Sequence, residues 1–133
     1  MATIEIRTLA NLPFHFAGRY PKPALVGHCR PDGVSSLSSR EFFEKIRDFS
    51  LGLTGINVDS GDRVALLCET RPEWVVADLA ALAAGSITVP IYPTLPPDRI
   101  RYILADAGVS TVIVSNQEQA QKVHSILSQL SEL

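Results

Sequence analysis

Three short stretches carry side chains that could do chemistry: Cys68-Glu69-Thr70, Tyr92-Pro93-Thr94 and Ser115-Asn116. Each follows an apolar run that reads as a strand, and open parallel sheets bind ligands beyond the carboxyl ends of their strands. Glu69 is the carboxylate of the group, but it lacks the neighbouring acid or histidine that would support general acid–base work. It reads as structural. Tyr92 and Thr94 are better placed, because prolines at 93, 96 and 97 stiffen the loop that holds them. They are the candidates for the wall of a substrate site. Asp78 is the one charge in an apolar helical stretch. A lone buried carboxylate is costly, so it is expected to reach water or a partner rather than to catalyse.

The remaining reactive residues are scattered. Cys29 and Cys68 form no C-x-x-C, and no clustered ligands of metal-binding spacing accompany them. They read as two reduced thiols of a cytoplasmic protein. His15, His28 and His124 are isolated and read as surface or packing residues. The sequence contains no G-x-G-x-x-G, no G-x-x-x-x-G-K-[ST] and no G-x-S-x-G, so the residues alone supply neither a phosphate loop nor a nucleophile elbow. Catalytic, cofactor-binding and metal residues are all read as none. The balance of 12 basic and 14 acidic residues gives a net charge of −2, without a basic block, which argues against a nucleic-acid partner. Val75 to Ile91, the most apolar stretch, is interrupted by Asp78 and Gly85 and is too short for a membrane span.

The elements that must position these stretches are legible from periodicity. Residues 1–23 contain three prolines and little periodicity and read as an irregular arm; residues 24–133 read as one α/β unit. Ala24 to His28 and Val34 to Leu37 flank the turn Pro31-Asp32-Gly33 and predict a hairpin. Ser38-Ser39-Arg40-Glu41 is a capping box. Phe42, Ile46, Phe49 and Leu53 then share one helical face, read as core, and the helix stops near Gly55. Arg63 to Leu67 predicts a buried strand. Thr70-Arg71-Pro72-Glu73 reads as a second capping box, opening a largely buried helix that Gly85 ends. Ser86 to Ile91 predicts another buried strand. Ile100, Ile103, Leu104 and Ala107 mark a helix stopped by Gly108. Val109 to Val114 predicts a third strand. Ser115-Asn116-Gln117-Glu118 reads as a third capping box, before a helix that turns Ala120, Val123, Leu127 and Leu130 inward. The fold class is therefore α/β: a hairpin and a helix, then three strand–helix units of a parallel, Rossmann-like sheet.

At Arg71-Pro72-Glu73-Trp74 the sequence resembles the amino-terminal region of AMP-forming acyl-CoA synthetases, members of the adenylate-forming superfamily. The match is collinear. It runs through Gly61-Asp62-Arg63-Val64-Ala65-Leu66-Leu67, Ala77-Asp78-Leu79-Ala80-Ala81-Leu82-Ala83-Ala84-Gly85, Val89-Pro90-Ile91-Tyr92-Pro93-Thr94 and Tyr102-Ile103-Leu104-Ala105-Asp106-Ala107-Gly108. Arg-Pro-Glu-Trp and Ile-Tyr-Pro-Thr look like the long-chain fatty-acid–CoA ligases. Two residues depart from the family's habit: Ser39 stands where an aromatic is usual, and Pro96 where a serine cap often precedes the next helix.

The resemblance implies a two-step reaction. A fatty-acid carboxylate attacks the ATP α-phosphate with Mg²⁺ assistance, giving acyl-AMP and pyrophosphate, and the thiol of CoA then displaces AMP. Fatty acid, ATP and CoA are thereby implied as partners of a full-length enzyme. The family's phosphate loop, adenine-side motif, ribose-binding aspartate and carboxy-terminal lysine all lie downstream of these 133 positions. The expectation is thus an incomplete part of the synthetase N-terminal domain, inactive alone and binding no cofactor. The alternatives are a non-catalytic α/β interaction module derived from that fold, or a piece of a fatty-acyl-AMP or aryl-CoA ligase. Peripheral membrane contact and oligomeric state stay open at this stage.

Overall fold

The structure, a computed structural model, describes residues 6–131 and residue 133. Its centre is a parallel sheet of three strands: β3 (Arg63–Leu67), β4 (Ile87–Ile91) and β5 (Thr111–Val114), in the order β4-β3-β5. Strand β3 pairs Arg63 through Leu67 with Ile87 through Ile91, and Val64 through Leu67 with Thr111 through Val114. Val64, Ala65, Leu66 and Leu67 are all buried, as expected for a parallel strand covered on both faces. Its alternation divides two cores. Ala65 and Leu67 pack with Ile100, Leu104, Val123 and Ile126 under α4 (Pro97–Asp106) and α5 (Gln117–His124). Val64 packs with Leu53, Val58 and Ala81 under α2 (Ser39–Gly55) and α3 (Pro72–Ala83).

The hairpin forms as predicted. Strands β1 (Val26–Arg30) and β2 (Gly33–Leu37) pair antiparallel from Val26↔Leu37 to Arg30↔Gly33. Val26 and Leu37 pack on a third cluster, built from Phe42 and Ile46 of α2 with Val76 and Ala80 of α3. Two expectations about burial change. Phe49 lies on the α2 stripe yet is 37% exposed, because it faces an open cleft rather than α3. Strand β4 is not buried as read: it is an edge, and its Ile87 is 54% exposed.

The helix starts show how capping is decided. The box at Ser38 is real: Glu41 N–H donates to Ser38 Oγ (3.2 Å) and Ser38 N–H donates to Glu41 Oε2 (2.8 Å). The second box does not form. Pro72 occupies the first helical position, so the cap is Arg71, held extended by the proline that follows it. Glu73 is taken by the Arg71 guanidinium, at 2.8 Å. The third box is replaced by a cap one residue later. Ser115 N–H still donates to the Leu67 carbonyl of the sheet, so Asn116 does the capping and its Oδ1 accepts from Gln119 N–H (3.0 Å). Helix α5 ends at His124, short of the predicted Leu130, and a single 3-10 turn follows over Leu127–Gln129. Pro96 supplies no side-chain cap, but its carbonyl accepts from Arg99 and Ile100, and α4 starts cleanly at Pro97.

The arm is not irregular. After a 3-10 turn at Leu9–Asn11 it forms helix α1 (Leu12–Arg19), with Pro13 in the first turn, where a missing N–H costs little. Residues 1–5 of the arm lie outside the described residues. Phe14 meets the Phe43 ring edge-on at 5.2 Å, and Ser39 ties the arm's exit to α2. Lys22 N–H donates to Ser39 Oγ (2.9 Å), Ser39 N–H to the Lys22 carbonyl (2.9 Å), and Ser39 Oγ to the Tyr20 carbonyl (3.3 Å). The serine that departs from the family habit thus joins two segments through three hydrogen bonds, two of which use its hydroxyl.

Candidate functional site

The carboxyl ends of the three strands form one ledge, and α5 holds it together. Glu69, just past β3, accepts from Asn116 Nδ2 (3.0 Å) and Gln119 Nε2 (3.3 Å). The Ser115 hydroxyl, its own backbone amide and these two amides hold its carboxyl below the usual carboxylate range. The loop after β4 is tethered to the same helix: Lys122 Nζ donates to the Pro93 carbonyl (2.6 Å) and pairs with Glu118 (3.3 Å). Glu69 therefore locks the end of β3 to the start of α5, and its carboxylate is already engaged by neutral donors. Next to it, burial pushes the Cys68 thiol up, opposite to what a nucleophilic cysteine needs.

Tyr92 and Thr94 stand at the rim of this ledge. Leu95 N–H donates to the Tyr92 carbonyl (3.1 Å) and closes the loop. Tyr92 is 78% exposed and Thr94 is exposed. Asp78, on α3, is half-buried.

A concavity of about 870 Å³ lies elsewhere. It opens between the hairpin, α2 and α3 and reaches the end of β5, and it includes neither Tyr92 nor Thr94. Its floor is apolar, from Leu66, Val76, Ile113 and Phe49, with Trp74 beside them. Its rim carries His28, Arg30, Lys45 and Arg71 against Asp48 and Glu73. The Arg71 guanidinium, bonded to Glu73, holds that carboxyl down at about 2. Sequence reading missed this cleft because its walls come from six elements spread along the chain. Phe49 was read as core, and no local signal pointed to the cleft.

Among the described residues, no three His, Cys, Asp or Glu side chains converge as a metal site. No helix among them is long and apolar enough to cross a membrane.

Comparison with known proteins places this geometry. The AMP-binding enzyme family matches residues 14–133. The long-chain-fatty-acid–CoA ligase FadD15 of Mycobacterium bovis is 37% identical over 93 residues, covering 69% of this chain and 16% of that protein. An uncharacterized protein of Mycobacterium tuberculosis is 30% identical over 95 residues, which are 71% of this chain and 54% of that protein. Among solved structures, the anthranilate CoA ligase AuaEII in complex with anthranoyl-AMP superposes on all of this chain with a TM-score of 0.83 at 23% identity, and this chain matches 24% of it. The chain thus spans about a sixth of the length of the long ligase it matches (16%). Its α/β unit has the fold of the amino-terminal part of adenylate-forming enzymes, and the chain belongs to the AMP-binding enzyme family.

Proposed function

We propose that the chain serves as the opening part of an AMP-forming long-chain fatty-acid–CoA ligase and supplies scaffold rather than catalytic groups. The observation that carries this reading is the collinear similarity to FadD15 together with a ledge whose one strand-end carboxylate, Glu69, is already satisfied by Asn116 and Gln119. In the complete enzyme the reaction is the activation of a fatty acid by ATP to acyl-AMP and pyrophosphate, followed by transfer of the acyl group to CoA. Tyr92 and Thr94 contribute at most a wall to the acyl or nucleotide site. The described residues hold neither a phosphate loop nor converging metal ligands, and no step of the reaction is assigned to them. A cytoplasmic location accords with the two free cysteines.

The test is fatty-acid-dependent exchange of labelled pyrophosphate into ATP. The isolated chain is expected to show none. A hybrid in which this chain replaces the matching stretch of FadD15 is expected to exchange with long-chain fatty acids. Exchange by the isolated chain, or a folded hybrid that exchanges only with aromatic acids, would overturn the reading.

A second reading, a non-catalytic interaction module on the same fold, is favoured by one observation. The match fills 54% of the Mycobacterium tuberculosis relative, so this unit also occurs in a protein far shorter than the ligases. A folded hybrid without any exchange would favour the module.

A further inference from the structure

Charge is unevenly distributed along the chain. Residues 6–31 hold four of the 12 basic residues, Arg7, Arg19, Lys22 and Arg30, and none of the 14 acidic ones. The remainder is therefore net negative. The same stretch contains helix α1, which has two unlike faces. One packs inward: Pro13 is buried, and the Phe14 ring meets Phe43 of α2. The other carries Leu12, Phe16 and Tyr20, spaced four residues apart along one stripe.

That stripe is open to solvent. Phe16 is 41% and Tyr20 50% exposed, and Leu9, in the turn before the helix, is 64% exposed. The Phe16 and Tyr20 rings lie 5.8 Å apart, and the His15 ring lies 5.6 Å from Phe16. The Arg19 guanidinium sits 6.0 Å from the Tyr20 ring centre, and Arg19 and Lys22 are both exposed. Large apolar groups stand here beside cations, on a helix fixed to the body by its opposite face. Helices that lie in a lipid headgroup layer are built in this way. Tyrosine suits that depth, because its ring is apolar and its hydroxyl stays wet.

We infer that α1 and the turn before it dock the chain on an anionic lipid surface, with Leu9, Phe16 and Tyr20 entering the headgroup layer and Arg19 and Lys22 pairing with lipid phosphates. Such a surface repels the net-negative remainder of the chain, which leaves the α1 side to face it. A soluble polyanion would satisfy the cations but leave the apolar stripe in water, and this favours lipid. Helix α1 has eight residues, too few to cross the hydrocarbon core. The contact is therefore peripheral and reversible, and it needs apolar burial and charge together. The inference goes beyond the ligase reading and does not depend on it.

The experiment sediments the 133-residue chain with vesicles of phosphatidylcholine containing about a third phosphatidylglycerol, and with vesicles of phosphatidylcholine alone. The expected result is binding about tenfold or more stronger to the anionic vesicles, weakening as salt is raised, with slowed hydrogen exchange in α1. Leu9→Ser with Phe16→Ser, and separately Arg19→Gln with Lys22→Gln, should each weaken binding by about tenfold or more. Arg99→Gln with Tyr102→Ser removes an exposed cation and an exposed aromatic from α4 and should leave binding unchanged. Circular dichroism checks that the variants fold; the vesicle comparison on the unsubstituted chain stands without them. Binding to neither vesicle, equal binding to both, or equal weakening by the α4 pair would each overturn the inference. So would retention on heparin without vesicle binding, which would give the face to an acidic macromolecule. Self-association that the α1 variants abolish, again without vesicle binding, would give it to a second copy and overturn the inference too. Pyrophosphate exchange is read separately, and its failure counts against the ligase reading alone.

Discussion

Ser39 is 3% exposed, and its hydroxyl both accepts from Lys22 N–H and donates to the Tyr20 carbonyl. Removing one partner of a buried bond leaves the other unsatisfied, at a cost of about 1–3 kcal/mol. Ser39→Ala is therefore expected to lower stability by about that amount in urea denaturation and to speed proteolysis near Lys22. The Arg71–Glu73 pair has a different signature. Glu73 falls from the ordinary 4.5 to about 2 in the folded chain. A carboxyl with a depressed folded value contributes stability at pH above 4.5, and that contribution disappears as pH falls toward about 2. The Glu73 side chain is 58% exposed, so solvent screening limits the effect to about 0.5 kcal/mol. NMR titration of the Glu73 carboxyl carbon should show the low midpoint, and Arg71→Ala should return it toward the ordinary value. At this scale the sequence was a partial guide. The partners of Glu69, Asn116 and Gln119, lie 47 and 50 positions away, beyond any local pattern.

Helix ends govern how the elements meet. Gly85 follows α3 with φ +85°. Its N–H donates to Leu82 and that of Ser86 to Ala81, the paired bonds of a Schellman ending. A Cβ at Gly85 would lie 2.7 Å from Ser60 Oγ, so the site resists substitution through both backbone strain and contact. Gly85→Ala should cost about 1–3 kcal/mol, read as a shift in the urea midpoint without a change in slope. Asn116 caps α5, and Asn116→Ala should cost about 1 kcal/mol and free one side of Glu69, visible as a rise in the Glu69 titration midpoint. Element identities were legible because periodicity and glycine stops are local. The start of α5 was misjudged because Ser115 is still occupied by the sheet, a fact set by β3 and not by its neighbours in sequence.

For the whole molecule, stability is unevenly spread. Strand β3 sits between the two cores with Val64 through Leu67 buried, whereas most residues of the β1–β2 hairpin are exposed. Native-state hydrogen exchange should therefore find the β3 amides opening only with global unfolding, and the hairpin amides opening at much lower free energy. Equal protection of both would contradict the division into cores described above. The same asymmetry bears on function. The rigid part of the chain presents a ledge with Tyr92 and Thr94 at its rim, and the looser hairpin walls the cleft beside the open β5 edge.

By itself, the sequence determined the family, the α/β class, the hairpin and, from residue 24 onward, the succession of strands and helices. All of these follow from motifs and periodicities spanning a few tens of residues, over which apolar spacing and turn chemistry act. Tertiary structure alone decided that β3 is central and β4 and β5 are edges, that Phe49 faces a cleft instead of a core, and that Glu69 is consumed by α5. Strand order, burial and long-range hydrogen bonds depend on which surfaces meet after the chain has folded back on itself. No local pattern encodes that meeting, because each partner is chosen by the shape and unmet hydrogen-bonding groups of a segment far away in sequence.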